Sequence, residues 1–430
     1  MECGGDFGRV TVERWQMTKL VDLAAPKRWA LNGGPFGSKL TTKHYTESGV
    51  PVIRGTNLSG SARFSFEDFV WVSEEKADEL LPNNTHPGDL VFTQRGTIGQ
   101  VGLIPLDSPF KRFIVSQSQM KLTPDPAKAD AVFLYHFFSS PSTVTRIENL
   151  AFAAGVPHIN LEILRNFEVP VPPLPVQRRI ASVLSAYDDL IENCQRRIRI
   201  LEDMARSLYR EWFVQFRFPE HENHPRVVSP LGEIPKGWES VPFTDLADVL
   251  SGGTPKTDVS EYWGGEIPFF TPRDVPDCFY VLDAEKHVTP LGISKCASEL
   301  YPPDTVFITA RGTVGKVTMP SVPMAMNQSC YALRGRGPIS QQFIFLLTLQ
   351  QVDYLKANTG GATFSTIVVD TFRRMQVVKP PAALVARFSS IVGGTFAQVN
   401  VLQRRIQNLR QTRDLLLPRL LSGQVDLKVA

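Results

Sequence analysis

The 430-residue chain has little of what marks several large classes of protein. Its formal net charge is only +3, so any nucleic-acid binding must come from local placement of Arg and Lys. The five cysteines lie at none of the short spacings of a zinc knuckle or a redox pair. They are Cys3, Cys194, Cys278, Cys296 and Cys330. We expect reduced thiols in a soluble cytoplasmic protein.

Long apolar runs are also missing. No uncharged apolar stretch approaches the length of a membrane span. Residues 1–10 carry acidic residues and glycines where a signal peptide needs a basic start and an apolar run. The sequence therefore predicts neither a signal peptide nor a membrane segment.

Motifs for catalysis are lacking too. A methyltransferase acting on an exocyclic amine needs Asn or Asp before Pro-Pro-aromatic, whereas Val171, Tyr301 and Lys379 precede the three Pro-Pro pairs. Residues 312–316 have glycines too close together for a phosphate loop, and His221 and His224 have no nearby cysteine. We predict that the chain has no catalytic, metal or cofactor site of its own.

The sequence does contain a long internal duplication. Residues 88–99 recur as residues 304–315, and residues 51–57 have a counterpart in residues 268–274. The sequence Gln-Arg-Arg-Ile at positions 195–198 recurs identically at positions 403–406. A solenoid needs three or more short repeats, so two long copies indicate pseudo-twofold symmetry.

Each copy begins with a region rich in Gly and Pro that has short β-branched and aromatic runs. Runs such as residues 89–93 and 305–309 predict strands, and residues 131–139 and 341–350 predict helices. The fold class is therefore α/β (mixed), with a twisted, mostly antiparallel or mixed sheet in each copy.

Each copy ends in a long helix. Residues 176–217 contain no Pro or Gly, and apolar residues recur at alternating steps of four and three. The stripe is Ile180, Leu184, Tyr187, Ile191, Cys194, Ile198, Leu201, Ala205, Leu208 and Trp212. The second copy repeats it from Phe388 to Leu420, with Thr395 and Arg413 as exceptions, and Pro418 should bend or end that helix.

Two stripes of equal length predict an antiparallel coiled coil between the two sheet domains. A helix of about 40 residues spans roughly 60 Å. The predicted divisions are residues 1–173 and 237–379 for the sheet domains, 174–217 and 380–430 for the helices, and 218–236 for a linker.

This organisation resembles the specificity subunits of type I restriction–modification systems. The likeness covers nearly the whole chain, and its most specific pieces are residues 169–177, 211–213, 87–90 with 95–97, and 415–423. Residues 380–384 lack the usual polar helix entry, and Val176 stands where an acidic residue is common.

The resemblance implies two target-recognition domains, each reading one half of a split, asymmetric site on double-stranded DNA. The helices would set the gap between the halves and dock two methyltransferase subunits, through which restriction (motor–nuclease) subunits would join. S-adenosylmethionine, ATP and magnesium would belong to those partners.

Candidate DNA-binding residues fall in equivalent places in both copies. Arg54 and Asn57 follow a short strand, as do Arg273 and Asp274, and either base readout or a turn held by Asn and Asp side chains explains them equally. Two motifs are shared by the copies, one with Arg95 and Thr97 and the other with Arg311, Thr313 and Lys316. Residues that both copies share cannot explain how each copy reads different bases. These residues therefore suit phosphate contact or a structural role in the domain. The same argument favours structural hydrogen bonding for Gln117 and Gln328, with DNA contact as the alternative.

Basic loops add further candidates. Lys39 and Lys43 lie in a loop rich in Gly and Thr, and Lys256 lies in the matching loop of the second copy. His158 lies in residues 155–160, which occupy the same slot as residues 360–365 but differ in chemistry. Equivalent positions with different chemistry suit either recognition of different bases or neutral sequence drift. For the three lysines, a solvated surface loop is an equal alternative to phosphate contact.

Two other functions stay open at this point. One is a self-contained DNA methyltransferase or nuclease. The other is a coiled-coil scaffold whose sheet domains bind protein or glycan ligands.

Overall fold

The structure, a computed structural model, describes residues 15–58, 62–153, 158–359 and 366–422. The chain forms two compact units, and both long helices contribute to each. Unit 1 comprises Met1–Glu192 and Asn408–Ala430, and unit 2 comprises Asn193–Gln407. The expectation for residues 1–10 and most of the 155–160 and 360–365 comparison lie outside the described residues.

The sheet domain of unit 1, here called head 1, holds eleven of the described strands and four helices. The strands are β1 Gln16–Lys19, β2 Leu31–Gly33, β3 Tyr45–Thr46, β4 Val50–Ile53, β5 Val70–Val72, β6 Asn84–Thr85, β7 Leu90–Thr93, β8 Val101–Leu103, β9 Phe113–Val115, β10 Gln119–Leu122 and β11 Glu168–Val171. The helices are α1 Glu74–Glu79, α2 Ala131–Ser139, α3 Pro141–Ala153 and α4 Leu161–Arg165. The sheets have the orders β2-β10-β7-β8, β3-β5-β4-β9-β6 and β1-β11.

Unit 2 contains the second sheet domain, head 2, and a preceding hairpin. The strands are β12 Arg226–Ser229, β13 Gly232–Pro235, β14 Glu239–Pro242, β15 Ala247–Ser251, β16 Trp263–Phe270, β17 Tyr280–Val281, β18 Lys286–Val288, β19 Val306–Thr309, β20 Val317–Pro320, β21 Ala325–Met326, β22 Cys330–Gly335 and β23 Gln376–Lys379. Its short helices are α6 Pro290–Ser294, α7 Gln341–Gln350, α8 Val352–Ala357 and α9 Val369–Arg374. The sheets have the orders β15-β22-β19-β20-β17, β18-β16-β21, β14-β23 and β12-β13.

The two heads repeat one design. In each, the first strand pairs antiparallel with the last strand before the long helix, as β1 with β11 and β14 with β23. Most pairs are antiparallel, but β4 with β9, β16 with β21 and β17 with β20 are parallel. The prediction of mixed sheets is therefore confirmed.

The long helices are α5, Leu174–Tyr209, and α10, Ala382–Leu421. A short π-helical segment, Arg210–Val214, follows α5, and α10 ends one turn after Pro418. Every member of both predicted stripes is buried or half-buried. The sequence stripe thus marks the buried face of both helices.

The helices pack against each other with opposite chain directions. In unit 1, Leu417 and Leu420 near the end of α10 share a core with Ile180 and Leu184 near the start of α5. In unit 2, Trp212 and Phe213 just beyond α5 pack on Phe388 near the start of α10, with ring centroids 5.8 and 4.9 Å apart. The predicted antiparallel pairing is confirmed, and Trp212 and Phe213 are buried within it.

One apolar window in α10 passes a test for membrane spans based on length and composition. The core helix of a soluble protein passes the same test, and the stripe of α10 packs against α5 in both units. The window is therefore weak evidence for a membrane segment.

A charged group is buried where head 1 meets the helices of unit 1. Arg413 Nη1 donates to Asp188 Oδ1 at 2.6 Å, and His136 Nε2 lies 3.5 Å from Asp188 Oδ2. Burial raises the pKa of Asp188 despite Arg413, and it lowers the pKa of His136 to about 3. His136 is therefore neutral at pH 7 in the folded chain.

We expect acid to destabilise unit 1 through His136. Between pH 6.5 and about 3 the unfolded chain protonates this imidazole and the folded chain does not. The free energy of unfolding should fall by up to about 1.4 kcal/mol per pH unit in that window. Urea unfolding at pH 7, 6 and 5 measures it.

His136→Gln is the matched control because it keeps a polar side chain and removes the titration. Because the pKa of Asp188 is raised in the folded chain, its protonation at low pH increases the free energy of unfolding. This effect is the same in the wild type and in His136→Gln, so it cancels in the comparison. Equal pH dependence in the two proteins would contradict the prediction.

Candidate nucleic-acid interface

Four loops of head 1 meet at one face, called surface 1, which comprises residues 34–39, 54–57, 94–97 and 116–118. Backbone hydrogen bonds join them: Gln94 N donates to Ser118 O at 2.7 Å, and Ser116 N donates to Ile53 O at 3.0 Å. Ile159 N donates to Gln94 O at 3.1 Å, which brings His158 to the same place. Segments far apart in sequence thus form one continuous surface.

Head 2 builds the corresponding face, surface 2, from residues 252–256, 271–274, 310–313 and 327–329. Ala310 N donates to Ser329 O at 2.7 Å, and Asn327 N donates to Phe270 O at 3.0 Å. Ile367 N donates to Ala310 O at 3.0 Å. These are the repeat equivalents of the three bonds in head 1, so the frame is shared.

One glycine in each surface is required by a close backbone approach. A Cβ atom on Gly34 would lie 1.9 Å from Ser116 O, and one on Gly252 would lie 2.1 Å from Asn327 O. Neither distance is possible between unbonded atoms, so only glycine fits without movement of the backbone. Both loops are therefore held tightly against the turn beside them.

The duplicated Arg-Gly-Thr motif is exposed in both surfaces. Arg95 and Thr97 are exposed in surface 1, as are Arg311 and Thr313 in surface 2. Between them, Gly96 and Gly312 have φ angles of 90° and 76°, which favour glycine. Lys316, just beyond surface 2, is exposed as well.

The strand-to-loop candidates divide into buried and exposed residues. Asn57 is fully buried, and its side chain bonds Arg54 N, Ser65 O and Glu67 O at 2.9, 3.2 and 2.8 Å. Asp274 Oδ2 likewise accepts from Thr271 N at 2.7 Å. Both side chains hold turns, as in the alternative that the sequence left open.

The arginines beside those turns differ in freedom. Arg54 is half-buried, and its Nη2 donates to Asp68 O. Arg273 is exposed. Of the two, Arg273 is the more available to a ligand.

The basic loops present Lys39, Lys43 and Lys256 to solvent. Gln117 Nε2 donates to Gly37 O at 2.6 Å and to Leu40 O at 2.7 Å, which fixes the loop that carries Lys39. In surface 2, Thr254 Oγ1 donates to Gln328 Oε1. Both glutamines are thus used inside the frame.

Seven cations on or beside the two surfaces have no carboxylate partner among the described residues. Across the described residues, none of Lys39, Lys43, Arg95, Lys256, Arg273, Arg311 or Lys316 makes an ion pair with a carboxylate. By contrast, Arg112 pairs with Glu74 and Asp78 elsewhere on head 1. Cations without carboxylate partners are suited to bind an anionic ligand.

Sequence reasoning missed Phe36, whose side chain is 81% exposed in surface 1. Two hydrogen bonds from Gln117 hold the loop that carries this ring, so the ring projects from an ordered loop. The available signal was an aromatic residue inside a Gly- and Ser-rich loop next to Lys39. The part of the chain that the structure describes contains no group of three or more side chains able to hold a metal.

Comparison with known proteins agrees with this architecture. Residues 13–202 and 235–383 match the family model described as the type I restriction modification DNA specificity domain. These two matches cover well over half of the chain. The chain belongs to this family, whose members are recognition components and not the catalytic ones of type I restriction–modification systems.

The most similar relatives include two archaeal or bacterial proteins of comparable length. The MjaIX specificity subunit of Methanocaldococcus jannaschii is 23% identical in an alignment that covers 98% of this chain and 95% of the relative's length. The HindI specificity subunit of Haemophilus influenzae is 22% identical over 79% of this chain and 86% of its own. The S subunit of M. genitalium shares the fold, with a TM-score of 0.57 and 18% identity over 96% of this chain and 97% of its own.

The close approach at Gly34 gives a prediction with a control next to it. Gly34→Ala should destabilise head 1 by about 1–3 kcal/mol, because the new methyl group must displace the backbone of Ser116. A Cβ on the adjacent Gly33 meets nothing within 4 Å, so Gly33→Ala should change stability far less. Urea unfolding followed by circular dichroism compares them, and equal stability of the two variants would refute the close contact.

Proposed function

We propose that surface 1 and surface 2 each read one half of a split site on double-stranded DNA. The observation that carries this proposal is a shared frame that displays different side chains. Three equivalent backbone hydrogen bonds fix the loops of each head, and seven cations on or beside the two surfaces have no carboxylate partner within the described chain. Family membership supports DNA recognition as the activity.

Within each surface we assign shared and differing residues to separate tasks. Arg95 and Arg311, with Thr97 and Thr313, occur in both heads and therefore suit phosphate contacts, which carry no sequence information. Two positions after the close-packed glycine, head 1 has Phe36 and head 2 has Thr254. A Phe ring can contact a thymine methyl group or stack on a base, so this position suits base readout.

The helices α5 and α10 are proposed to set the gap between the half-sites and to dock two methyltransferase subunits. Restriction subunits would join through these. In unit 2, Ile200 and Met204 of α5 lie one turn apart and are 54% and 58% exposed, and Val401 of α10 is 64% exposed. Exposed apolar groups of this size on a helix pair support a protein-binding role. We place the assembled complex in the cytoplasm.

Exchange of head 2 tests the modular assignment. A hybrid in which residues 237–379 come from a relative should enrich, from a random duplex pool, a split motif with only one half changed. The helices stay those of this chain, so the hybrid should assemble with the same methyltransferase at unchanged stoichiometry by light scattering. A change in both halves would refute separate reading, and lost assembly alone would refute docking through the helices.

Paired substitutions in surface 1 test the division of tasks. Arg95→Ala should weaken binding to all sequences about equally and lower the slope of log affinity against log salt by about 1. Phe36→Ala should lower affinity about tenfold for the preferred head 1 half-site and leave the other half unchanged. Anisotropy titrations at several salt concentrations measure both effects.

Matched controls lie on the same head. Arg112→Ala removes a cation already paired with Glu74 and Asp78, and Leu106→Ala removes an apolar side chain that is 84% exposed outside surface 1. Both should leave DNA binding unchanged. Losses equal to those of Arg95→Ala and Phe36→Ala would contradict the placement of the DNA on surface 1.

A further inference from the structure

The stripe of α10 is interrupted by one charged residue, Arg413, and unit 1 supplies its partner. Arg413 Nη1 donates to Asp188 Oδ1 of α5 at 2.6 Å, and its Nη2 donates to the exposed Asp414 at 2.9 Å. Asp188 is only 4% exposed, and its other oxygen lies 3.5 Å from His136 Nε2 of head 1. A charge pair between the buried Asp188 and the half-buried Arg413 therefore joins the two helices in unit 1.

The repeat-related positions in unit 2 carry no charge. The identical Gln-Arg-Arg-Ile segments relate each α5 residue to the α10 residue 208 positions later, as Gln195 to Gln403. Asp188 then corresponds to Phe396, and Arg413 corresponds to Ala205. Both of these residues are buried, at 1% and 2% exposure.

Aromatic packing takes the place of the charges in unit 2. The ring of Phe396 lies 5.1 Å from the ring of Phe279 and 5.8 Å from that of Phe345. Phe345 belongs to α7, which is the counterpart of the helix α2 that carries His136. At these positions the contact between α5 and α10 is thus apolar in unit 2 and polar in unit 1. The buried carboxylate nearby in unit 2, Glu202, is bound by head 2, since it accepts from Phe279 N at 2.7 Å.

This difference has a consequence for pairing between two copies of the chain. Because α5 and α10 carry the same stripe, like helices from two copies also have matching apolar faces. In an antiparallel pair of two α5 helices, Asp188 of each copy would face Ala205 of the other. In a pair of two α10 helices, Arg413 would face Phe396, so either arrangement buries a charge without its partner.

We propose that the Asp188–Arg413 pair selects the pairing of α5 with α10 and excludes pairing of like helices from two copies. Removing the partner of a buried ion is strongly unfavourable, whereas a complete pair or an apolar replacement is tolerated. A single buried polar pair in an apolar seam is a known way to fix which helices pair. The apolar seam in unit 2 supplies no such discrimination, so the choice rests on unit 1.

The test refolds full-length chains from denaturant at several concentrations and measures their mass by light scattering. The wild type and the charge-exchanged Asp188→Arg/Arg413→Asp chain should both refold as monomers. The variant His136→Leu/Asp188→Phe/Arg413→Ala copies the apolar set of unit 2, in which Leu346 of α7 is the counterpart of His136. It should fold, yet give at least a tenfold larger dimer fraction that rises with concentration.

A second measurement does not depend on that variant. Asp188→Arg alone and Arg413→Asp alone each place like charges in the seam, so each should refold poorly by itself. Refolded together, they should recover a dimer with one copy of each chain, because opposite charges then meet between copies. Mass spectrometry of the native complex identifies that composition.

Three outcomes overturn the proposal. The first is a folded apolar variant that stays monomeric at every concentration, and the second is a wild type that refolds into dimers through like helices. The third is a pair of single variants that refold as separate stable monomers and do not combine. If the apolar variant does not fold, the mixed refolding decides alone.

Discussion

The structure depends on one interaction above all, the burial of an apolar stripe that recurs every three and four residues on both α5 and α10. Neither stripe has an exposed member in the described chain, and each unit uses a different stretch of the helix pair as part of its core. Head 1 packs on Ile180 and Leu184, and head 2 packs on Tyr209 and Phe213 through Phe343 of α7. A sheet domain of this kind therefore shares its core with the helices that carry it.

The duplication becomes informative when the two heads are compared bond by bond. The backbone hydrogen bonds around β7 and β19 recur with nearly equal lengths, and the Arg-Gly-Thr motifs after these strands are identical, whereas the loops beside them differ. Gly34 and Gly252 are equivalent for the same reason, since a carbonyl oxygen occupies the space of a Cβ. The two heads thus share the backbone frame and its close-packed glycine, while exposed positions such as Phe36 and Thr254 differ.

Much of the architecture was predictable from the sequence because it rests on periodicity. Helices α2 and α7 have the bounds that were predicted, and the strands β7 and β19 lie within the predicted runs. The stripe of α5 was read directly from the spacing of its apolar residues. The π-helical end of that helix, Arg210–Val214, has no such signal, because its cause is tertiary packing of Trp212 and Phe213.

The candidate site was predictable in its location but not in the role of each side chain. The duplicated motifs identified the loops that form surfaces 1 and 2, yet the sequence left Asn57 equally suited to a base or to a turn. Only its burial and its three hydrogen bonds place it in the turn. Phe36 was missed for the opposite reason, since an aromatic residue is ordinarily taken as core unless its exposure is known.

The polar cluster of unit 1 shows what a duplicated fold requires beyond stability. Perfect symmetry would make α5 and α10 interchangeable, and an apolar stripe alone does not distinguish a partner in the same chain from one in another copy. Burial of Asp188 opposes its ionisation, so the cluster is a poor source of stability compared with the phenylalanines that fill the same place in unit 2. The charge pair between α5 and α10 occurs in one half only. One such pair is enough to select the partner helix, whereas a role in strengthening the core would favour the apolar arrangement in both halves.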